Sequence, residues 1–220
     1  MATVTQPGDL ALLAPTEEAA ADILEFRLDD LVDSLSTVKQ TIETLSTPAI
    51  VTARHPDEGG SNALDSAERL ELYRAVLPAA AFVDTEIATL QSGDFAGFVA
   101  EAHAAETLAI ASYHDFSGFP GIDTLARHVE TAYDLEADIA KVAVVIESMS
   151  QLFDLVTLVE RQVAEGRLVS AMGMGPLGKL SRLVLAKAGS CLNYGYLRIP
   201  NAPGQWSASD LARLVKDLAL

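Results

Sequence analysis

Short apolar runs alternate along the chain with longer stretches in which apolar residues recur at helical spacing. The runs, rich in Val, Ile, Leu and Ala, predict eight strands at residues 10–14, 23–28, 49–54, 82–87, 108–114, 139–145, 168–172 and 191–197. The stretches between them predict a short helix that opens at residues 16–18, and further helices at residues 31–45, from 65 to beyond 76, 94–104, 122–133, 150–165, 176–187 and 207–218.

Strict alternation of strand and helix predicts parallel strands, because successive parallel strands need a crossover connection. The strands are apolar at nearly every position, which indicates that both faces of the sheet are covered. A doubly wound open sheet would also fit this pattern. Eight units in one chain of 220 residues favour closure, and we predict a (β/α)8 TIM barrel with residues 1–220 as one domain.

Composition narrows the possible partners. The formal net charge of −16 disfavours nucleic acid and anionic membranes as partners, since both attract clustered Lys and Arg. No apolar run reaches the length of a membrane span, and residues 1–9 lack the features of a secretory signal. The single cysteine allows no intramolecular disulfide, so we expect a cytoplasmic protein.

Polar residues at the carboxyl ends of barrel strands face the active-site mouth, and this rule selects the candidate residues. It selects Glu25, Arg27, Arg54, Glu58, Asp84, Glu86, Ser112, His114, Lys141, Met172 and the loop at 201–205. Because an unpaired buried charge is costly, ionisable side chains on several strands indicate one shared polar site.

Lys141 is the most informative of these residues. Of five lysines, it alone lies inside an apolar strand, within the run 139–145. Burial favours the neutral form of an amine, and a neutral amine can attack a ketone or aldehyde to form an imine. A lysine paired with a buried carboxylate, or one whose ammonium extends from the strand end to solvent, is the structural alternative.

Two further residues supply acid–base chemistry. His114 ends the fifth predicted strand, and imidazole titrates near neutrality. Glu58 precedes Gly59 and Gly60, glycines that would let the backbone pass close to a ligand and place the Glu58 carboxylate over the barrel mouth; the alternative is that they form a plain turn. No pair of histidines or carboxylates has the spacing of metal ligands, so we predict no metal.

Seven segments, in order along the chain, resemble type I 3-dehydroquinate dehydratase, a Schiff-base enzyme of the shikimate pathway. They are Glu25-Phe26-Arg27-Leu28-Asp29, Thr52-Ala53-Arg54 with Glu58-Gly59-Gly60, Asp84-Thr85-Glu86, Ser112-Tyr113-His114-Asp115-Phe116, Ala137-Asp138-Ile139-Ala140-Lys141-Val142-Ala143, Met172-Gly173 leading to Leu180-Ser181-Arg182, and Ala202-Pro203-Gly204-Gln205.

The resemblance implies roles for individual residues. Lys141 would form an imine with the C3 ketone of 3-dehydroquinate, and His114 would remove the C2 proton and then protonate the departing C1 hydroxyl. Glu58 would hold His114, and Arg182 would bind the substrate carboxylate. In addition, the resemblance implies no cofactor and a homodimer. By the same resemblance, Glu25, Arg27 and Arg54 would bind the ring hydroxyls or order one another by ion pairs. Asn201 and Gln205 would also bind the substrate, and Gln205 would close as part of a lid.

Two positions depart from the family pattern. Ala11, in the first predicted strand, and Asn201 stand where relatives carry a hydroxyl residue. They leave room for a catalytically silent barrel that binds a ligand. A different Schiff-base lyase, such as an aldolase acting on a sugar phosphate, is the other alternative, and it would need a phosphate site at the seventh and eighth loops.

Overall fold

A computed structural model of the chain describes residues 1–11, 13, 21–200, 202 and 204–218. Eight strands form one sheet in which every paired neighbour is parallel. The strands are β1 (Ala2–Val4), β2 (Leu24–Arg27), β3 (Ala49–Thr52), β4 (Phe82–Glu86), β5 (Leu108–Asp115), β6 (Ile139–Val145), β7 (Val169–Met174) and β8 (Gly195–Tyr196). The sheet curls into a barrel, which confirms the predicted (β/α)8 class.

Helices follow the strands and cover the outside of the sheet. They are α1 (Pro7–Leu10), α2 (Leu35–Thr44), α3 (Ser66–Val76), α4 (Ile87–Leu90), α5 (Phe98–Ala104), α6 (Ile122–Asp134), α7 (Met149–Ala164), α8 (Gly178–Ala188) and α9 (Ala208–Asp217). A capping box of Asp65 and Glu68 opens α3, at the residue where the sequence predicts that this helix begins. Across the described ranges, no helix has both the length and the apolar character needed to cross a membrane.

The barrel closes between β7 and β8, the two strands at the ends of the strand order. Thr3 of β1 lies opposite Glu25 of β2 on one side and opposite Tyr196 of β8 on the other. Between β7 and the segment leading into β8, the Cys191 amide donates to the carbonyl of Val169 at 2.9 Å. These contacts link the two ends of the strand order, so the carboxyl ends of all eight strands surround one opening.

The first predicted strand is wrong. The strand at this end of the barrel is Ala2–Val4, and Leu10 is instead the last residue of α1. Ala11 is exposed just after that helix, so it is not a position of the first strand. The strand does carry a hydroxyl, on the buried Thr3. The short helix predicted at 16–18 lies outside the described residues.

The eighth strand was predicted too long. Of residues 191–197, only Gly195 and Tyr196 form a regular strand. The other six strands lie within three residues of their predicted ends, and β6 matches at both ends.

Two apolar regions hold the barrel together. The larger lies between the strands and the helices; in α6, for example, Leu125, Val129 and Ala132 recur at helical spacing and are fully buried. The smaller fills the inside of the barrel with Ile50, Ile110, Ile139, Leu192 and their neighbours. This apolar floor leaves the polar side chains of the strands concentrated toward the carboxyl ends.

Candidate active site

A cleft opens at the carboxyl ends of the strands. It is lined by Thr3, Glu25, Arg27, Arg54, Glu58, Gly59, His114, Phe116, Lys141, Ala143, Met172, Met174, Arg182, Tyr194, Ala202 and Gln205. The structure therefore brings together eight of the nine residues that the sequence singled out for catalysis or substrate binding. The ninth, Asn201, lies outside the described residues.

Lys141 projects from β6 into this cleft and is 3% exposed. Its Nζ donates a hydrogen bond of 2.7 Å to Oδ2 of Asp84, on β4. The structural alternative, a lysine paired with a buried carboxylate, is thus part of the arrangement. The pair nonetheless faces the cleft, so Nζ is buried, held in place and next to the space where a ligand would bind.

Arg54 connects the acidic residues around Lys141. Its guanidinium donates to Asp84 at 2.8 Å, to Glu86 at 3.0 Å and to the Ser112 hydroxyl at 2.6 Å. The Ser112 hydroxyl in turn donates to Asp84 at 2.7 Å. Although burial acts in the opposite direction, the neighbouring charges of Arg54 and Lys141 hold the pKa of Asp84 far below its usual range. Asp84 therefore remains ionised and fixes the position of the amine.

Glu86 connects this network to α3 through two buried arginines. One of its carboxylate oxygens accepts from Arg54, and the other accepts from the buried Arg69 of α3. The backbone amide of His55 also donates to Glu86, at 2.9 Å. Every charge in this buried group thus has a partner of opposite sign, and the attraction between them offsets the cost of their desolvation.

His114 contacts Glu58 twice. Nδ1 of His114 lies 2.9 Å from Oε2 of Glu58, and the backbone amide of His114 donates to the same oxygen at 2.9 Å. Burial, together with the positive charges of Arg54 and Lys141, lowers the pKa of His114 well below its ordinary value. Burial raises the pKa of Glu58 to about 7. The imidazole is therefore neutral near pH 7, and the carboxyl group titrates there.

The glycines after Glu58 shape the turn that presents it. A Cβ at Gly60 would lie 2.2 Å from the carbonyl oxygen of Arg54, and a Cβ at Gly59 would lie 2.9 Å from the ring of Phe116. Gly59 also has a φ of +90°, which favours glycine. The turn alternative is therefore correct for Gly60, which lets the chain fold against its own backbone, whereas Gly59 does line the cleft.

Glu25 and Arg27 occupy the β2 side of the cleft. Arg27 forms a two-point ion pair with Asp29, with distances of 3.0 and 2.7 Å, and donates to the carbonyl of Gly59 at 3.1 Å. Glu25 accepts a hydrogen bond of 3.0 Å from Thr52. Mutual ion pairs among Glu25, Arg27 and Arg54 are absent from the described contacts, because each arginine pairs with a different acid.

Arg182 reaches the cleft from α8 and is 1% exposed. Its Nε donates to the carbonyl of Tyr194 at 3.1 Å, and its NH1 donates to the carbonyls of Gly173, Gly178 and Gly204 at 3.0, 3.0 and 2.8 Å. No carboxylate among the described residues forms an ion pair with it. Desolvation lowers the pKa of Arg182 to about 10. The guanidinium is thus a buried cation whose partners are neutral.

Residues 202, 204 and 205 lie along one side of the cleft. Gln205 and Ala202 both line it, and the Ala202 amide lies 3.3 Å from Oε1 of Gln205. The carbonyl of Gly204 accepts from Arg182, which connects this segment to the buried cation. This position fits the lid that the sequence predicts, although closure itself stays a prediction.

Five cleft residues were not selected from the sequence as site residues: Thr3, Phe116, Ala143, Met174 and Tyr194. Thr3 was missed because its strand was placed elsewhere. Tyr194 lies two residues after Leu192 of the barrel floor, and both fall within the predicted strand 191–197, so alternation along that strand would have indicated that Tyr194 faces inward. Within the described ranges, no group of three or more His, Cys, Asp or Glu side chains could hold a metal ion.

Comparison with known proteins agrees with this geometry. The sequence profile of the family described as Type I 3-dehydroquinase matches residues 2–219. The 3-dehydroquinate dehydratase of Methanothermobacter thermautotrophicus is 32% identical over 205 residues, covering 91% of this chain and 87% of that protein. The Halobacterium salinarum enzyme of the same name is 32% identical over 218 residues, covering 96% and 94%.

A solved structure gives the same result for the fold. The 3-dehydroquinate dehydratase from Geobacillus kaustophilus HTA426 superimposes with a TM-score of 0.86 at 26% identity, covering 99% of this chain and 90% of that chain. Matches of this extent favour dehydration of 3-dehydroquinate over a silent barrel or an aldolase. The chain belongs to the type I 3-dehydroquinase family and has the enzyme activity of a 3-dehydroquinate dehydratase.

Proposed function

We propose that the chain converts 3-dehydroquinate to 3-dehydroshikimate through a Schiff base on Lys141. The observation that carries the proposal is the position of Nζ, which is buried at the cleft and hydrogen-bonded to Asp84 at 2.7 Å. Once it has lost a proton, Nζ attacks the C3 carbonyl and forms a C–N bond. Proton uptake by the carbonyl oxygen and loss of water then leave a cationic iminium.

The iminium makes the neighbouring C2 hydrogen acidic, because it accepts the electron pair released when the C–H bond breaks. His114 takes this proton, giving a neutral enamine. The enamine then expels the C1 hydroxyl, which leaves as water with the same proton from His114. This step forms the C1–C2 double bond and restores the iminium. Hydrolysis finally releases 3-dehydroshikimate and the free amine of Lys141, so the net change is the loss of one water.

His114 suits this role because its lowered pKa keeps the imidazole neutral and able to accept a proton near pH 7. Glu58 accepts from Nδ1–H in its ionised form, which leaves the Nε2 lone pair available to the substrate. The carboxylate therefore selects the tautomer and orients the ring, while His114 carries out the proton transfers.

Arg182 is the group best suited to the substrate carboxylate. It is a buried cation with only neutral carbonyl partners among the described residues, so a bound carboxylate would supply the missing negative charge. Glu25, Arg27 and Arg54 would bind ring hydroxyls or shape their surroundings, and Gln205 would cover the bound ring. Asn201 would add a contact from the same loop. The proposal includes no metal and no cofactor.

We further propose that the protein works in the cytoplasm as a homodimer and does not bind nucleic acid. The net charge of −16 supports the last point, because a phosphate backbone would be repelled.

The product contains a conjugated enone, so turnover can be followed by ultraviolet absorbance after adding 3-dehydroquinate. We expect absorbance to grow with the wild-type protein and with Lys39→Ala, which changes an exposed lysine of α2. Lys141→Ala should retain its fold by circular dichroism and lose turnover by at least about 1,000-fold, since it removes the covalent step. Full turnover by Lys141→Ala would disprove the imine mechanism.

A further inference from the structure

Tyr194 lies against the reactive amine. Nζ of Lys141 lies 4.1 Å from the centroid of the Tyr194 ring, over its face. Tyr194 is 4% exposed, lines the cleft and comes from the segment just before β8. A cation within about 6 Å of an aromatic centroid is attracted by the negative face of the ring. The amine is thus held between the Asp84 carboxylate and an aromatic face.

The hydroxyl of Tyr194 makes no interaction that would account for a tyrosine at this position. This oxygen is buried, and no hydrogen-bond partner for it occurs among the described residues. Burial also raises the pKa of Tyr194 well above its ordinary value, so the side chain is neutral. A buried hydroxyl without a partner destabilises a protein, and phenylalanine would avoid that cost. What Tyr194 contributes to the site therefore comes from the ring face.

We propose that the ring of Tyr194 is a further catalytic group, which stabilises the positive charge on the Lys141 nitrogen in the covalent iminium. The inference rests on the Schiff base proposed above. An ammonium has three N–H donors, whereas the iminium keeps one. Condensation therefore leaves fewer hydrogen bonds through which Asp84 can stabilise the nitrogen. The attraction between the ring face and the nitrogen depends on the positive charge and not on the number of N–H groups. It therefore persists after the C–N bond has formed.

The proposal predicts which covalent species accumulates. The carbinolamine that precedes the iminium and the enamine that follows it are both uncharged at nitrogen. A ring that attracts cations lowers the free energy of the iminium relative to these two. Weakening the ring's negative face should therefore reduce the fraction of enzyme trapped as iminium without changing the shape of the cleft.

Fluorination provides this change, because fluorine withdraws electron density from the ring face and alters its size little. Position 194 would carry Phe, then mono-, di- and trifluorophenylalanine, in the full-length protein. Each variant would be mixed with saturating 3-dehydroquinate, quenched with borohydride and analysed by intact mass. We expect Tyr194→Phe to match the wild type within about twofold and the trapped fraction to fall stepwise, roughly three- to tenfold at the trifluoro ring.

A trapped fraction that stays constant across the fluorinated series would overturn the proposal, since a ring that only packs is insensitive to its electron density. Loss of the adduct in Tyr194→Phe, with the fold intact, would also overturn it, by assigning the effect to the hydroxyl. The Schiff base itself is tested separately: a wild-type enzyme that forms product but gives no adduct contradicts the proposed function, whatever the variants do.

Discussion

One carboxylate oxygen of Glu58 contacts His114 twice, at its backbone amide and at its imidazole. Oε2 of Glu58 lies 2.9 Å from both Nδ1 and the backbone nitrogen of His114. The backbone contact fixes the carboxylate relative to β5, and the ring contact fixes the imidazole relative to the carboxylate. The pair thereby holds the acid–base group at the cleft, although His114 lies in β5 and Glu58 lies in the turn after β3.

The pH dependence of activity should report Glu58. Its pKa is raised to about 7, so the carboxylate becomes an uncharged acid as the pH falls through that value. The acid form no longer accepts from Nδ1–H, and we expect kcat/KM to decline on the acid side of about pH 7. In Glu58→Gln, the amide oxygen accepts at every pH. The variant should therefore lack this limb and reach a plateau roughly 10- to 100-fold lower.

The profile would be recorded between about pH 5 and pH 9, the range in which such groups titrate. Glu160→Gln, which alters an exposed carboxylate on α7, is the control and should follow the wild type. An acid limb that persists unchanged in Glu58→Gln would assign the titration to another group.

Substrate affinity should depend on Arg182. Replacing it with Gln removes a buried cation that has no carboxylate partner among the described residues. We expect KM for 3-dehydroquinate to rise roughly 10- to 100-fold, with a smaller change in kcat, because a charge-assisted hydrogen bond to the substrate is lost. Arg213→Gln, at a residue whose side chain is 60% exposed, is the matched control. A KM within twofold of the wild type would show that the carboxylate binds elsewhere.

Stability should depend on Asp84. Asp84→Asn leaves the ammonium of Lys141 and the guanidinium of Arg54 without their shared carboxylate. Urea denaturation at pH 7 should give a free energy of unfolding lower by roughly 3–5 kcal/mol, the usual effect of breaking a buried ion pair. Asp134→Asn, an exposed site at the end of α6, should change it little.

This difference should shrink at low pH. The pKa of Asp84 is depressed in the folded protein, so its contribution is complete above the ordinary value for aspartate and is lost as the pH falls toward the folded value. The wild type should thus lose stability on acidification more steeply than Asp84→Asn does. Parallel curves for the two proteins would contradict the ion-pair explanation.

Gly60 should tolerate no side chain. In Gly60→Ala, the added Cβ would approach the Arg54 carbonyl to 2.2 Å, so the turn that carries Glu58 must shift. We expect at least about tenfold lower kcat, because the carboxylate would lose its alignment with His114. Gly93→Ala is the control, since no atom lies within 4 Å of its added Cβ. Equal activity of the two variants would show that the turn adapts without cost.

The sequence predicts β6 and its lysine well for a physical reason. The run 139–145 is apolar on both faces, as a strand covered on both sides must be, so a single lysine within it stands out. His114 is found in the same way, as an ionisable residue near the end of an apolar run. The six strands β2 to β7 were placed within two residues of their observed ends.

The first and last strands, β1 and β8, were harder to predict because they are short. Ala2–Val4 has three residues, too few to show a period, whereas the apolar residues around Leu10 bury a helix end and suggest a strand. The pairing of Asp84 with Lys141 was also missed. It joins residues 57 positions apart and follows from how the strands are arranged around the barrel, which no local pattern contains.

The central claim is that Lys141 forms the covalent bond to the substrate. The most direct test is to reduce the enzyme with borohydride in the presence of 3-dehydroquinate, digest it and locate the added mass. The account predicts one substrate-derived adduct, on the peptide that contains Lys141, and none in Lys141→Ala. Turnover without an adduct, or an adduct on a different lysine, would contradict it.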